Sequence, residues 1–381
     1  MSVTATFLAH PGLGNHLRRE LSERFKLHVE RGEVPNSAIL KGSKKQVLKT
    51  LYLAQTPKAA LIRTSHGPFS SLPNLEPSWK QPIKRIENGT YRVSANRVGT
   101  HEHSSVDIEK HFGTSLYQEG FQDVDLSAPD FIVHVEVVDD AYEAGILIHD
   151  GDLTKRQYKV FSSSDGINAS VAFAALQDAG IENDMTVVDP FCRDGVFPIE
   201  LALWKKGVSV NHYSREFKLE ELGYYDLFET DDVLDGVDEE LPTTENRICA
   251  FDKSFRNLKA TKKNAKIAGV QKHLEYSRFE AKFIDLKFDD FEVDRIVGRP
   301  EEISRHKDQE IVKEMYYDLF RYGKYVLSPR GKMVFLVKDT NNLLHYADQF
   351  NLSVESRKPL SYKHVDYEVV TLWRDEPLIA P

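Results

Sequence analysis

Cysteine is scarce in this sequence, whose 381 residues include only Cys192 and Cys249. Two cysteines cannot form a disulfide framework or a four-cysteine zinc site, which excludes the small disulfide-rich secreted folds. The 14 histidines are scattered, and no second ligand pair at zinc spacing accompanies His101 and His103. We therefore expect a reducing, cytoplasmic setting and no bound metal.

Long apolar runs are also missing. No segment approaches the roughly 20 apolar residues that a membrane-spanning helix needs, so we expect no membrane partner. The start of the sequence shows no basic stretch followed by an apolar one, so we expect no secretory signal. The GxSxG and GxxxxGK[ST] patterns do not occur, which argues against an α/β-hydrolase nucleophile and a P-loop.

Positive charge is not in excess, since the formal net charge is -9. Nucleic-acid-binding proteins are usually basic where they touch phosphate, so the total charge argues against such a partner. The acidic residues are concentrated in 217–245, however, and the rest of the chain is near neutral. Local basic patches therefore remain compatible with RNA binding, while the acidic segment suits contact with a protein partner.

The chain is long enough for two or three domains. Residues 4–65 and 90–150 each combine short strands with a helix, as in two small α+β units. From residue 165 onward strands and helices alternate, which predicts a mostly parallel sheet with helices on both faces. In that α/β architecture, ligands bind at the carboxyl ends of the strands, near the point where strand order reverses.

Two strand–turn–helix segments could form such a ligand site. VVDPFCRDGVFPIELAL (187–203) leads from a strand through Asp189 to a turn with Gly195, and ICAFDKSFRNLKATKKNAKIAGV (248–270) places Asp252 at a strand end. Backbone N–H groups at a helix start and a carboxylate at a strand end can bind a nucleotide-like ligand. Each segment alone is equally consistent with an ordinary strand–helix turn. The two together favour a ligand site more strongly, because both lie at strand ends of one sheet.

The same residues carry a family resemblance. DPFCRDGVFPIELAL (189–203) resembles the first motif of THUMP-containing RNA methyltransferases, usually DPFCGSGTIPIEAAL. The Asp252 segment is similar to their second-strand segment ending in NAxxAG, and Glu280 in SRFEAK matches their third-strand acid. Upstream, TYRVSANRVGTHEHSSVDIEKHFG (90–113) and VDLSAPDFIVHVEV (124–137) look like a THUMP core, while PGLGNHLRREL resembles the preceding ferredoxin-like domain.

This resemblance covers nearly the whole chain and points to the archaeal and bacterial tRNA guanine-N2 methyltransferases. It implies a ferredoxin-like N-terminal domain at 1–66, a THUMP domain at 67–152, a linker at 153–165 and a Rossmann-fold methyltransferase domain at 166–381. LTKRQYKV (153–160) is similar to the KRGYR segment that enters the catalytic domain.

The family also implies a cofactor, S-adenosylmethionine, and a partner, the acceptor stem and 3′ end of tRNA. Asp252 would hold the cofactor's ribose and Glu280 its adenine. The other implied cofactor-binding residues form the first motif: Asp189, Pro190, Phe191, Arg193, Asp194 and Gly195. The target base would have to leave its stack to reach the methyl donor. Our candidates for phosphate contact, each of which could instead be a solvated surface charge, are Arg92, Arg97, His101, His103, Lys110, Lys155 and Arg156.

The sequence departs from the family in both motifs that define the chemistry. The fourth-strand motif, usually NPPY or DPPY, reads Gly298, Arg299, Pro300 and Glu301. A glycine has no side-chain acceptor for the target amine, and a glutamate offers no aromatic face for stacking, which is worth about 1–3 kcal/mol per base. In the first motif, GSG becomes RDG, and a non-glycine at its first position is strained if that position needs a positive φ.

Two hypotheses from different classes therefore stay open. The chain is either an RNA methyltransferase in which Glu301 accepts from the target amine, or a catalytically silent RNA-binding protein that has kept the fold and lost the chemistry. A DNA amino-methyltransferase is a third interpretation, because adenine-N6 enzymes share the NPPY motif, but the THUMP resemblance argues against it.

Overall fold

The computed structural model describes residues 2–72, 75, 77–79, 89–149, 151–163, 165–213, 217, 233–238, 243–303, 308–362 and 365–374. The chain divides into an N-terminal unit, Met1–Leu153 with Asn211–Glu239, and a C-terminal unit, Thr154–Val210 with Glu240–Pro381. Most of the acidic segment predicted at 217–245, namely 218–232 and 239–242, lies outside the described residues.

The N-terminal unit is built on one seven-stranded sheet. Its strands are β1 (Ser2–Leu8), β2 (Val29–Glu30), β3 (Ser37–Ser43), β4 (Ala59–Pro68), β5 (Tyr91–Val98), β6 (Phe131–Val138) and β7 (Ala141–Leu147). They follow the order β2-β3-β1-β4-β7-β6-β5, and β5 and β6 are parallel. The predicted ferredoxin-like and THUMP regions thus share a sheet through the antiparallel pair β4–β7, and the predicted boundary at residue 66 falls inside β4.

Three helices pack on this sheet: α1 (Gly14–Arg19), α2 (Lys44–Leu53) and α3 (Ser105–Gln118). Both longer helices begin with a capping box, Ser43 with Gln46 in α2 and Ser104 with Asp107 in α3, which satisfies N–H groups that would otherwise lack partners. Past α1 the helix continues as a π-helical turn, Glu20–Arg24.

A buried carboxylate ties the two halves of this sheet together. Glu136 on β6 is fully buried and accepts two hydrogen bonds of 2.8 Å from the Lys58 ammonium. Asn36 and Asn96 each donate to it at 3.0 Å, and His134 Nε2 lies 3.4 Å away. Burial alone would raise the pKa of Glu136, but Lys58 and His134 outweigh it and lower the pKa to about 2.

The stability of the N-terminal unit should therefore depend on pH in acid. Because the folded pKa of Glu136, about 2, lies below its unfolded value, its contribution is present above about pH 4.5 and is lost as the pH falls toward 2. We expect Glu136→Gln to be less stable than the parent at pH 7, with a gap that narrows below pH 4.5 in urea unfolding. Glu30→Gln, which removes an exposed pair with Lys41, should show little gap at pH 7; a gap for Glu136→Gln that stays constant down to pH 2.5 would contradict the assignment.

The C-terminal unit is a doubly wound α/β domain, which confirms the predicted fold class. Its strands are β8 (Thr186–Asp189), β9 (Arg247–Asp252), β10 (Glu275–Arg278), β11 (Val293–Gly298), β12 (Leu327–Val337), β13 (Leu352–Tyr362) and β14 (Val365–Arg374). Their order is β10-β9-β8-β11-β12-β14-β13. The first five are parallel and the last two join antiparallel. Strand order reverses between β8 and β11, which is where such sheets bind ligands.

The helices of this unit are α4 (Ala169–Asp178), α5 (Val196–Lys205), α6 (Phe255–Ile267), α7 (Gln309–Val326) and α8 (Asn341–Gln349), with 3₁₀ turns at Gln271–His273 and Ala281–Leu286. Helix α7 is rich in aromatic residues, of which Tyr316 and Phe320 are buried while Tyr325 is exposed. None of the helices in the described part of the chain has the length and apolar character that crossing a bilayer requires.

Candidate functional site

A cavity of about 290 Å³ opens at the carboxyl ends of the parallel strands in the C-terminal unit. Six residues from the predicted motifs line it: Pro190, Phe191, Arg193, Asp252, Glu280 and Glu301. Other residues that line the cavity were not predicted, among them Lys253, Arg256, Asn257, Phe279 and Met315. Lys253 and Asn257 could have been inferred, since they follow Asp252 by one and five residues. Met315 comes from α7, far away in sequence.

Asp252 is the organising carboxylate of this cavity. Its Oδ1 accepts hydrogen bonds from the backbone N–H of Ser254 at 2.8 Å and from the side-chain amide of Asn257 at 3.0 Å. Its Oδ2 accepts from the backbone N–H of Arg193 at 3.0 Å. A carboxylate has about four acceptor sites, so one remains for a ligand hydroxyl. The residue thus fixes both the 190–195 turn and the start of α6.

The turn after β8 is held by backbone contacts on both sides. Gly195 has φ +88°, and a Cβ there would lie 2.7 Å from the side chain of Thr261, so the position requires glycine. Arg193, at the family's first glycine, has φ +51°, a strained conformation for a side chain other than glycine, asparagine or aspartate. The turn therefore carries an arginine side chain at a left-handed backbone position.

The Arg193 side chain reaches across to the loop that follows β11. Its guanidinium donates to the carbonyl of Arg299, to that of Pro300 at 3.4 Å and to that of Phe191 at 3.3 Å. The resemblance implies that the target amine donates to the motif's polar side chain and to a proline carbonyl, and residues 299 and 300 occupy the two proline positions. The carbonyls of both residues are hydrogen-bonded to Arg193.

Gly298 and Asp189 meet behind the cavity and do not line it. Asp189 is buried; its Oδ1 accepts from the Phe191 N–H at 2.9 Å, while its Oδ2 has no partner among the described residues. Burial raises the pKa of Asp189 to about 8, so its carboxyl is largely protonated at neutral pH. Gly298 has φ +147°, and a Cβ on it would lie 2.5 Å from Asp189 Oδ1.

This close approach predicts that restoring the family's asparagine is costly. Gly298→Asn should lower the free energy of unfolding by about 2 kcal/mol, because it adds both a clash and backbone strain. Gly180→Asn is the matched control, since Gly180 has φ +57° with open space around it and asparagine tolerates that region. Urea unfolding of both variants measures the difference, and equal stability of Gly298→Asn and the parent would contradict the packing against Asp189.

The remaining predicted site residues have other partners. The Asp194 carboxylate is buried and accepts a hydrogen bond from the Ser163 N–H at 3.2 Å, with Lys159 Nζ 3.7 Å away. Among the described residues it forms no ion pair with Arg193, and it does not line the cavity. Glu280 is half-exposed beside Lys282, at 3.1 Å. Glu301 lies 3.1 Å from Lys253.

The predicted phosphate contacts are not all available. Arg97, Lys110 and Lys155 are exposed, whereas Arg92 donates to the Leu126 carbonyl at 3.2 Å. His101 and His103 are both half-buried. The Nε2 atom of His101 lies 2.6 Å from the carbonyl oxygen of Asp139.

The prediction that Arg156 contacts phosphate is wrong. Its side chain is buried and bound to both carboxylate oxygens of Glu200, at 3.0 and 3.1 Å. Lys155, its neighbour, is exposed. The two basic residues point to opposite sides of the segment, and only the outer one can reach a ligand.

No group of three or more His, Cys, Asp or Glu side chains in the described ranges could hold a metal ion. Both cysteines are free and buried. In the acidic 217–245 segment, Asp238 accepts a hydrogen bond of 2.8 Å from the Tyr52 hydroxyl, so this described part contacts its own unit. A protein partner for that segment stays a prediction.

Comparison with known proteins supplies a family. Residues 156–365 match the RMKL-like methyltransferase domain, and residues 76–146 match the THUMP domain. The chain is 26% identical to tRNA (guanine(6)-N2)-methyltransferase of Methanocaldococcus jannaschii, over 85% of this chain and 78% of that protein. The protein of the same name from Thermus thermophilus is 24% identical, over 86% and 87%.

Solved structures share the fold along the whole chain. TrmN from Thermus thermophilus superposes with a TM-score of 0.71 at 19% identity, covering 98% of this chain and 100% of that one. A protein solved in complex with SAH gives a TM-score of 0.77 at 17% identity and covers 99% of both chains.

Proposed function

The chain belongs to the RMKL-like methyltransferase-domain family, and from this premise we propose that it binds tRNA and S-adenosylmethionine while its methyl-transfer centre is closed to a target amine. The THUMP domain implies RNA binding, and the relatives named above are tRNA guanine-N2 methyltransferases. We further propose that the RNA is the acceptor stem and 3′ end of tRNA.

The observation that carries the closed centre is the Arg193 guanidinium on the carbonyls of Arg299 and Pro300. An exocyclic amine must donate to acceptors beside the methyl donor. The Arg193 guanidinium takes one of the two acceptor sites of each carbonyl and places a cation where the amine would donate. Gly298 supplies no side-chain acceptor in their place. Both departures favour loss of catalysis with retention of the fold.

The residues around the cavity fit the cofactor. Asp252 has an acceptor site left for a ribose hydroxyl, Glu280 stands at the rim for an adenine amine, and Phe191, Phe279 and Met315 provide apolar walls. When bound, S-adenosylmethionine supplies an electrophilic methyl group on a sulfonium. The chain's own part is to bind and orient it, with Asp252 linking the 190–195 turn to the start of α6.

A second candidate is methyl transfer to a guanine exocyclic amine in tRNA. It is favoured by Glu301, whose partly exposed carboxylate lines the cavity and could accept from the amine in place of the family's polar side chain. Withdrawal of Arg193 from the two carbonyls would be required as well.

Calorimetric titration with S-adenosylmethionine, a tRNA gel shift at stated salt and a radiolabelled methyl-transfer assay separate the two. We expect micromolar cofactor binding, clear tRNA binding and no methyl transfer by the parent. Arg193→Gly restores the family's glycine and frees both carbonyls, so any gain of transfer in that variant supports the closed centre. Methyl transfer to tRNA by the parent overturns it in favour of the second candidate, and absence of tRNA binding overturns both.

A further inference from the structure

Helix α6 carries a strongly basic outer face. Five exposed cations project from it: Arg256, Lys259, Lys262, Lys263 and Lys266. At about 100° per residue they fall within an arc of about 120°, while Leu258, Thr261 and Ala265 are buried on the other side. This basic face belongs to a protein whose net charge is -9, so it is a local feature and not the consequence of a basic chain.

These cations have no anionic partner within the described part of the chain. Lys253, just before the helix, pairs with Glu301, but no ion pair is formed by any of the five that follow. Two lie over aromatic rings instead, Lys262 at 5.2 Å from the ring of Tyr276 and Lys263 at 4.3 Å from that of Phe161. Like charges three and four residues apart destabilise a helix, so the arrangement favours an external polyanion.

The basic face begins at the mouth of the cavity. Lys253, Arg256 and Asn257 line the cavity, and from Arg256 to Lys266 the helix extends about 15 Å at 1.5 Å per residue. Over that length the face can contact several phosphates of one strand. A strand following this face would therefore arrive at the cavity.

Two exposed aromatic rings flank the cations. Phe255 is 68% exposed at the start of α6, and Phe161 is 37% exposed beside Lys263. Phe161 is held in place by Asn264, which accepts from its N–H and donates to its carbonyl, both at 3.0 Å. Cations that follow a backbone, interleaved with rings on which bases can stack, are typical of single-stranded nucleic-acid surfaces.

We propose that the outer face of α6, with Phe161 and Phe255, binds the RNA backbone and guides an unpaired strand to the cavity, in addition to contacts made by the N-terminal unit. This inference rests on the proposed function for the presence of tRNA. An acidic protein would also meet five cations, but it would not need the flanking rings or a path that ends at a nucleotide-sized cavity.

The test is filter binding of full-length protein to tRNA between 50 and 200 mM salt. Lys259→Gln with Lys263→Gln should weaken binding about 10-fold or more and lower the slope of log affinity against log salt by about 1.5, since each lost phosphate contact removes about 0.7–0.9. The matched control is Arg330→Gln with Lys332→Gln, which neutralises two cations near the amino-terminal end of β12 and should stay within twofold of the parent.

The outcomes separate a failure of this inference from a failure of the proposed function. A parent that binds tRNA, together with an α6 variant of unchanged affinity and slope, overturns the inference alone. A parent that does not bind tRNA overturns the proposed function as well. Because Phe161→Ala removes a ring without changing charge, a loss of affinity at an unchanged salt slope in that variant supports stacking, and unchanged affinity contradicts it. Thermal melts matching the parent exclude misfolding as the cause.

Discussion

Replacing Glu200 by alanine is expected to lower the free energy of unfolding by about 3–5 kcal/mol, because it leaves the buried guanidinium of Arg156 without its counter-charge. Glu200 is fully buried on α5 and is bound to Arg156 through two hydrogen bonds and to the Tyr158 hydroxyl at 2.8 Å. Burial, with the Glu200 carboxylate nearby, raises the pKa of Tyr158, so its hydroxyl remains a donor.

The measurement is urea unfolding followed by tryptophan fluorescence, since Trp204 lies on the same helix as Glu200. Glu310→Ala is the control. The ion pair of Glu310 with Lys313 has a distance of 2.8 Å, but the Glu310 side chain is 81% exposed. This variant should therefore change the free energy of unfolding by less than about 1 kcal/mol. Glu200→Gln, which keeps the shape and one acceptor, should fall between. A Glu200→Ala protein within 1 kcal/mol of the parent would contradict the buried pair.

The same pair explains why one sequence prediction failed. The run Lys155-Arg156 suggested two phosphate contacts, and nothing local separates them. The structure places Glu200, a residue 44 positions away, against Arg156, while Lys155 faces solvent. Basic residues in a motif can be assigned to ligand or core only when the partner is known, and that partner is distant in sequence.

Strand ends were predictable because parallel strands with apolar cores end in recognisable turns. Asp189 and Asp252 were expected at strand ends of one sheet, and their strands, β8 and β9, are neighbours in it. Strands with weak apolar signals were missed. In β13, Leu352–Tyr362, most residues are partly or fully exposed because it is an edge strand, and the sequence gives it little alternation.

The changes in the first and fourth motifs were treated as independent in the sequence, but in the structure the two motifs are in contact. The resemblance places an arginine in the first motif and Gly298 in the fourth, and nothing in the sequence relates the two positions. The guanidinium of Arg193 spans the two loops, and Asp189 of the first motif fills the space beside Gly298. Arg193 thus contacts the loop of the fourth motif and Asp189 packs against Gly298, so a single reversion at Gly298 would disturb the contact with Asp189.

Removal of the Asp252 carboxylate should have the largest effect on ligand binding. We expect Asp252→Ala to weaken S-adenosylmethionine binding at least 100-fold, about 2.7 kcal/mol. The variant loses the acceptor left for a ribose hydroxyl, and it also releases the N–H groups of Arg193 and Ser254 that the carboxylate holds. A charged acceptor with two backbone donors contributes more than a neutral hydrogen bond.

Titration calorimetry of three variants makes the effect specific. Glu280→Ala should weaken binding by about 10-fold or less, because its side chain is half-exposed and pairs with Lys282, and hydrogen bonds at such sites contribute about 1 kcal/mol. Asp285→Ala, on the 3₁₀ turn Ala281–Leu286 and exposed to solvent, should bind as the parent does. If Asp252→Ala binds within threefold of the parent while its circular dichroism is unchanged, the cavity at the carboxyl ends of β8 and β9 does not hold the cofactor. If Asp252→Ala instead loses far more S-adenosylmethionine affinity than Glu280→Ala, the result supports a ribose site at the strand end and an adenine site at the rim of the cavity.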